Sequence, residues 1–381
     1  MPLFFIVVLL VYGALNFYIL WKVRLAVTPA GGAWQWVAAA FLAVMVLGPM
    51  MILLLERWGV IRTAGMLGVV LFCWLAVAFW FVCTGVTLDV WNLAARGAGH
   101  VWPVFSGLAA TPRIHMAITL GVVALAVALS LREAQDIRLT SVSVPAPQLP
   151  AGSKPIRIVQ ISDLHLGGGT ERGRLEKIVA QVREARPDIL ISTGDLIDAP
   201  LEAIEPYAEA LRSLEAPMGK FAIPGNHEYY VGIDASRKFH EAAGFRWLRQ
   251  QAVDVGEYLR IVGCDDPHSL PGVNPPSLDE TPLLTADRAS VFTLDLRHQP
   301  LVMPTAVGKF DLQLSGHTHG GQIFPFSLIV RLRYRYDRGL FDLGDGSKLY
   351  VNRGAGTWGP PMRLLSQPEV VVITLEPPQG P

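Results

Sequence analysis

The chain has 381 residues, 51% hydrophobic and 17% charged, with 32 Lys and Arg against 32 Asp and Glu. A soluble domain carries about 25% charge, so the composition excludes a disordered chain and disfavours a single soluble globule. The zero balance and the lack of a long Lys/Arg run disfavour a nucleic-acid partner, which needs a basic stripe.

Charge is unevenly spread. Residues 1–131 hold only Lys22, Arg24, Glu56, Arg57, Arg62, Asp89, Arg96 and Arg113. The other 250 residues hold the remaining 56 charged side chains (64 minus eight), close to the soluble norm. This predicts a membrane half, 1–131, joined to a water-soluble half. Four apolar runs, Leu3–Trp21, Trp34–Leu55, Ala64–Leu88 and His115–Leu131, reach or approach the roughly 20 helical residues that cross a hydrocarbon core. The first lacks a basic start and a small-residue cleavage site, so it reads as an uncleaved anchor. Trp21, Trp34, Trp36, Trp58 and Trp91 fall near run ends, where an interfacial belt would place them. None of the first three runs has an ionisable residue near its middle, which disfavours a transporter or channel.

With four spans, Arg57, Arg62, Arg132 and Arg138 share a side with the soluble half, and Lys22, Arg24, Arg96 and Arg113 lie opposite. The positive-inside count ties. The expectation is a multi-pass protein of the cell (inner) membrane, its soluble half on an undecided side with a lean to the cytoplasm. Cys73 and Cys83 lie in an apolar run and Cys264 stands alone, so no disulfide framework or cysteine zinc site is available.

Residues 132–154 read as a linker, extended where Val142–Pro150 alternates Pro with small residues. Strands are expected at Ile156–Ile161, Ile189–Ser192, Phe221–Ile223, Arg260–Gly263, Val291–Leu294, Phe310–Leu314, Leu349–Val351 and Val370–Leu375. Leu175, Ile178, Val179 and Val182 follow helical spacing, predicting a helix over Glu171–Arg186 that Pro187 ends. Ile204, Tyr207, Ala208, Leu211 and Leu214 predict a second. The alternation implies an α/β layered core.

Polar residues cluster where five of these strands end: Asp163-Leu164-His165, Gly194-Asp195, Gly225-Asn226-His227-Glu228, His298, and Gly316-His317-Thr318-His319-Gly320-Gly321. Strand ends are where α/β sheets bind ligands. In Asp163/His165 and His317/His319 the polar residues are two apart, which on an extended chain puts both on one face. Glycine before Asp195, Asn226 and His317 permits close backbone approach. Asp, His and Asn form a mixed N/O donor set that suits Mn, Fe, Zn or Co better than Ca. Of the remaining histidines, His100 and His115 are placed near the membrane surface, His240 on a helix, and His268 near the pocket.

In this order, the five blocks resemble the calcineurin-like metallophosphoesterase superfamily. Pro224–Tyr230, Ser315–Gln322 and the tail Arg353–Arg363 are similar to its branch of membrane-linked phosphoesterases, which includes UDP-2,3-diacylglucosamine hydrolase-type and exported phosphodiesterase-type enzymes. The resemblance covers about residues 155–376. It implies an α/β fold, a four-layer β-sandwich flanked by helices, here preceded by an all-α transmembrane bundle of about four helices. It implies two divalent metal ions, Mn²⁺ first, with Zn²⁺, Fe²⁺ or Co²⁺ as alternatives. Asp163, His165, Asp195 and His319 would hold one, and Asp195, Asn226, His298 and His317 the other. His227 would be catalytic and not a ligand. Arg353 and Arg363 are weighed as phosphate contacts against surface salt bridges, with the latter favoured. The implied activity is hydrolysis of a phosphodiester or pyrophosphate bond, and the membrane anchor favours a lipid-linked substrate over one that anchoring only localises. A soluble-nucleotide or nucleic-acid phosphodiesterase and a non-catalytic membrane scaffold are the alternatives.

Overall fold

The structure is a computed structural model and describes residues 2–27, 33–167, 172–267, 279–284 and 288–380. The chain divides into two compact units, one of Met1–Leu131 with Gly359–Met362 and one of Arg132–Trp358 with Arg363–Pro381.

The first unit is helical: α1 (Pro2–Ala26), α2 (Ala33–Arg57), α3 (Ile61–Gly99) and α4 (Pro112–Glu133). All four are long and apolar enough to cross a membrane. Trp21, Trp36, Trp58 and Trp91 are exposed, while the side chain of Trp34 lies outside the described part. The helices overrun the apolar stretches that the sequence marks. α3 has 39 residues, roughly 58 Å at 1.5 Å per residue, against a hydrocarbon core of about 30 Å. The overrun brings Lys22 and Asp89 inside helices, where they pair. Tyr18 Oη donates to Asp89 Oδ2 at 2.7 Å, and His115 Nε2 lies 3.2 Å from Asp89 Oδ1. His115 is buried among the helices, its ring also 3.1 Å from the Gly85 carbonyl.

The second unit has two six-stranded sheets. The first runs β1 (Arg138–Pro145), β12 (Glu369–Glu376), β2 (Ile156–Ile161), β3 (Ile189–Ser192), β4 (Gly219–Ala222), β5 (Arg246–Trp247). The second runs β10 (Gly339–Gly344), β11 (Ser347–Val351), β9 (Leu312–Ser315), β8 (Phe292–Leu296), β7 (Leu259–Gly263), β6 (Gln251–Val255). β2, β3, β4 and β5 are parallel, as are β7, β8, β9 and β11.

Side-chain alternation builds the layers. Ile158, Ile189, Ile191 and Ile223 pack with Ile261, Leu294, Leu296, Leu312 and Leu314 in one core. On the opposite face of the first sheet, Val159, Ile161 and Leu190 meet Leu175, Ile178 and Val182 of α5 (Arg172–Ala185) and Ile204 and Leu211 of α6 (Leu201–Arg212). Each fully buried aliphatic side chain contributes about 1.5–3 kcal/mol.

The segment expected as linker departs from that reading. Within 132–154 lies β1, which pairs parallel with β12 from Arg138↔Glu369 to Pro145↔Glu376. Its exposed, alternating pattern hides it from a search for apolar runs, yet Val144, Ala146 and Leu149 are buried in the inter-sheet core.

Candidate metal centre

The five polar blocks follow β2, β3, β4, β8 and β9, so both sheets deliver side chains to one place. The reason two residues of a block converge is not the extended chain that the spacing suggests. Asp163, His165, Asp195, His317 and His319 all have positive φ, between 50° and 70°. A left-handed residue other than glycine costs about 1–2 kcal/mol. Main-chain bonds hold the turns: Asp163 N donates to Gly194 O and His165 N to Asp195 O, both at 3.1 Å. Two glycines are needed for contact. A Cβ on Gly225 would lie 2.2 Å from Asp195 Oδ1, and one on Gly316 2.3 Å from Asp163 Oδ2.

The structure brings all seven expected ligand residues together. His165 Nε2 lies 3.0 Å from His319 Nε2, which is 3.4 Å from Asp163 Oδ1. Asp195 Oδ2 lies 4.0 Å from His165 Nε2 and 3.2 Å from His298 Nε2. His317 Nδ1 is 3.2 Å from His298 Nε2. Asn226 lines the same cavity, of about 320 Å³, and its buried Oδ1 has no hydrogen-bond partner. Two three-residue groups, Asp163/His165/His319 and Asp195/His298/His317, each have donor atoms close enough for one cation. A third, His165/Asp195/His227, satisfies the same test.

Outer partners orient the rings. His298 Nδ1 donates to the Thr193 carbonyl at 2.7 Å, and His165 Nδ1 to Asp198 at 2.9 Å. Tyr334 Oη lies 2.8 Å from His317 Nε2 and 3.1 Å from Gln299 Oε1. With those protons placed outward, His165 Nε2, His298 Nε2 and His317 Nδ1 offer lone pairs inward. Lone pairs facing one another, a shared carboxylate and an orphaned amide oxygen fit divalent cations. The buried carboxylates favour positive charge here, carried by imidazolium protons that a bound cation would displace. Burial opposes ionisation of Asp195, but His298, His227 and His165 hold its carboxyl well below the usual range. Burial lowers the His165 pKa, yet Asp198, Asp195 and Asp163 push it up to about 9. Burial and Arg363 keep His319 neutral.

Several neighbours escaped the sequence reading. Asp198 binds His165 and also lies 2.8 Å from His227 Nδ1. Its signal was a second Asp three residues after Asp195, across the buried pair Leu196 and Ile197. The Glu228 carboxylate accepts from Gly225 N, Asp195 N and Leu196 N at 2.7–2.9 Å, tying two ligand loops together. Tyr334 has no local signal. Arg363 is neither a phosphate contact nor a surface ion pair: it is fully buried and donates to the carbonyls of Gly356, His319 and Arg353. Arg353 pairs with Glu369 at 2.6 Å. His240 is a buried core residue of α8 (Ile233–Ala242), and His268 lies outside the described residues.

The calcineurin-like phosphoesterase profile matches residues 156–321, a span containing every residue of this cluster from Asp163 to His319. An uncharacterized metallophosphoesterase of Aquifex aeolicus (strain VF5) is 39% identical over 245 residues, 64% of this chain and 94% of that protein. A transmembrane protein with metallophosphoesterase domain from Danio rerio is 30% identical over 263 residues, 64% of this chain and 58% of that one. Among solved structures, a dimetal phosphatase from Danio rerio aligns with a TM-score of 0.38 at 15% identity, covering 59% of this chain and 100% of that one. With nearly the whole length of the Aquifex protein matched at that identity, the chain belongs to the calcineurin-like metallophosphoesterase family.

Proposed function

We propose that this metal-dependent phosphoesterase is membrane-anchored and hydrolyses phosphodiester or pyrophosphate bonds, with lipid-linked phosphoesters as its substrates. The observation that carries the reading is the convergence of Asp195 with the inward nitrogens of His165, His298 and His317, beside the partnerless Asn226 Oδ1. One divalent cation is assigned to Asp163, His165, Asp195 and His319, the other to Asp195, Asn226, His298 and His317, with Mn²⁺ the first choice.

Two such cations, when bound, bring the pKa of a water toward neutrality and offset charge gathering on phosphoryl oxygens. The chain's own residues do the rest. Asp195 would contribute to both cation positions. Asp198 accepts the Nδ1 proton of His227 at 2.8 Å, so that Nε2 faces the cavity. From there His227 hands a proton to the leaving oxygen, a step worth about 10²–10⁴-fold. Tyr230 and Trp358 flank the His227 ring at 5.1 and 6.2 Å and limit its rotation.

Two features support a lipid-linked substrate. The same chain carries four helices of membrane-crossing length. The cavity also has an apolar wall in Phe326, Val330 and Trp358. The test is a turnover screen of the full chain, loaded with Mn²⁺, on extracted phospholipids and nucleotide-linked glycolipids beside soluble phosphodiesters. Preferred turnover of a lipid-borne phosphoester is expected. Activity confined to nucleotides or nucleic acid would replace the lipid reading, and no activity on any ester with both cations bound would leave a scaffold.

A further inference from the structure

One wall of the cavity belongs to α9 (Phe326–Arg333), through Phe326 and Val330. The helix turns other large apolar side chains outward: Leu328 is 51% exposed, Ile329 52% and Leu332 89%. Positions 328 and 332 are four apart and 329 and 332 three apart, so the three form one stripe. Gln322 Nε2 donates to Trp358 O at 2.8 Å and Phe324 N to Leu364 O at 3.0 Å, which puts the exposed Trp358 and Leu365 beside the start of the helix. A soluble surface rarely leaves such a patch uncovered.

The flank is basic. Arg331, Arg333, Arg335 and Arg338 face a single acid, Asp337, over residues 326–338, a net +3 (four minus one). Arg331 pairs with Asp337 at 2.9 Å, while Arg333 and Arg335 lie over the rings of Tyr334 and Tyr336 at 5.1 and 5.4 Å. Leu and Ile on one side with Arg and Tyr beside them is the composition of a helix lying in the plane of a bilayer surface. The positive excess complements anionic headgroups. The four membrane-length helices on the same chain keep a bilayer within its reach.

We propose that α9 is an interfacial helix that seats Leu328, Ile329 and Leu332 in an anionic leaflet, with Arg331, Arg333 and Arg335 at headgroup level. Phe326 and Val330, on the same helix, then bring the mouth of the cavity to the boundary between headgroups and acyl chains. The insertion stands by itself; only its use in admitting lipid-borne phosphoesters rests on the proposed function.

The test uses the full chain reconstituted in vesicles of phosphatidylcholine with phosphatidylglycerol. Leu332→Cys carries an environment-sensitive fluorophore, in a background of Cys73→Ala and Cys83→Ala; Cys264 is fully buried. Emission from position 332 is expected to be quenched by spin-labelled lipid and protected from aqueous iodide. Glu257→Cys, on the turn between β6 and β7, should show the reverse. Quenching at 332 by iodide and not by lipid would overturn the proposal. So would protection from both quenchers, which would assign the stripe to a protein partner or a second copy. A second variant, Leu328→Ser with Ile329→Ser and Leu332→Ser, should keep its turnover of a soluble chromogenic phosphodiester. Its turnover of bilayer-held phosphoesters should fall about tenfold as local concentration is lost. Equal turnover of both by variant and wild type would overturn the role in substrate entry. If the wild type turns over neither ester, the proposed function fails while the quenching result still decides the insertion.

Discussion

Asp198 Oδ1 lies 2.8 Å from His227 Nδ1, and the same carboxylate receives His165 Nδ1 at 2.9 Å. One side chain therefore sets the orientation of a proposed metal ligand and of the proposed proton donor. Burial raises the Asp198 pKa, but the two imidazoles overcome it and hold the group down to about 2, ionised at any working pH. Replacing it with a neutral amide that can donate should disturb both rings. Asp198→Asn is expected to lose about 10²–10⁴-fold in kcat, the range of a misplaced acid. Its metal affinity should fall about 10–100-fold, the effect of a lost outer partner. Turnover at saturating Mn²⁺, with metal content measured on the same sample, checks both.

His227 separates from its neighbours in role. Its Nε2 is 3.9 Å from Asp195 Oδ2, close enough to be mistaken for a ligand. His227→Ala should retain both cations and lose activity in kcat, because a group that acts only in the transition state leaves ground-state binding unchanged. Elemental analysis showing one ion fewer per chain would make His227 a ligand.

The register of β1 on β12 changes where the catalytic part can be cut. A chain starting at Pro150 loses all eight β1 pairings and the buried side chains of Val144, Ala146 and Leu149. Each full burial is worth about 1.5–3 kcal/mol for a large aliphatic side chain, and β12 becomes an unprotected edge. A chain starting at Ala134 keeps β1 and should fold and hydrolyse a soluble phosphodiester near the full-length rate. The chain starting at Pro150 should melt at a lower temperature. Thermal unfolding of the two fragments, side by side, checks the ordering.

His240 gives a pH dependence outside the metal cluster. It is fully buried, its Nδ1 donating to the Ser236 carbonyl at 2.7 Å, and burial lowers its pKa from 6.5 to about 4. The unfolded chain takes up a proton at this position below about pH 6.5, whereas the folded chain resists until about pH 4. Stability from this group is thus complete above pH 6.5 and lost as pH falls toward 4. The loss is about 3 kcal/mol by linkage. Urea unfolding of the Ala134 fragment and its His240→Leu variant should show the difference in their stabilities changing by about that amount across the window. A pH-independent difference would place a charged histidine in the fold.

Much of the architecture is legible in the sequence. Buried parallel strands such as β2 and β3 announce themselves as short aliphatic runs, and their ends coincide with the expected bounds. What escaped were strands with mixed exposure, β1, β5, β6 and β10, where polar residues or glycines interrupt the apolar ones. The proposed ligands were legible because each follows a strand. The conformation that aims them was not: the left-handed turns at Asp163 and His165 answer to main-chain bonds from the neighbouring loop, which no local spacing encodes. Tyr334 and Arg363 were illegible for the same reason. Tyr334 meets His317 from just beyond the end of α9, and Arg363 fills a cage of carbonyls drawn from two segments, one at His319 and one at Arg353–Gly356.

The proposed metal centre holds a pair of cations that share Asp195. It is tested most directly by titrating metal-free full-length protein with Mn²⁺ while recording bound metal and turnover of a chromogenic phosphodiester together, for wild type and Asp195→Asn. Activity should rise in step with the second cation and level off when two are bound per chain. The Asp195→Asn protein, folded by circular dichroism, should fail to hold two cations and should not turn over. Full activity with one cation per chain, or wild-type-like turnover by Asp195→Asn at saturating Mn²⁺, would contradict the account.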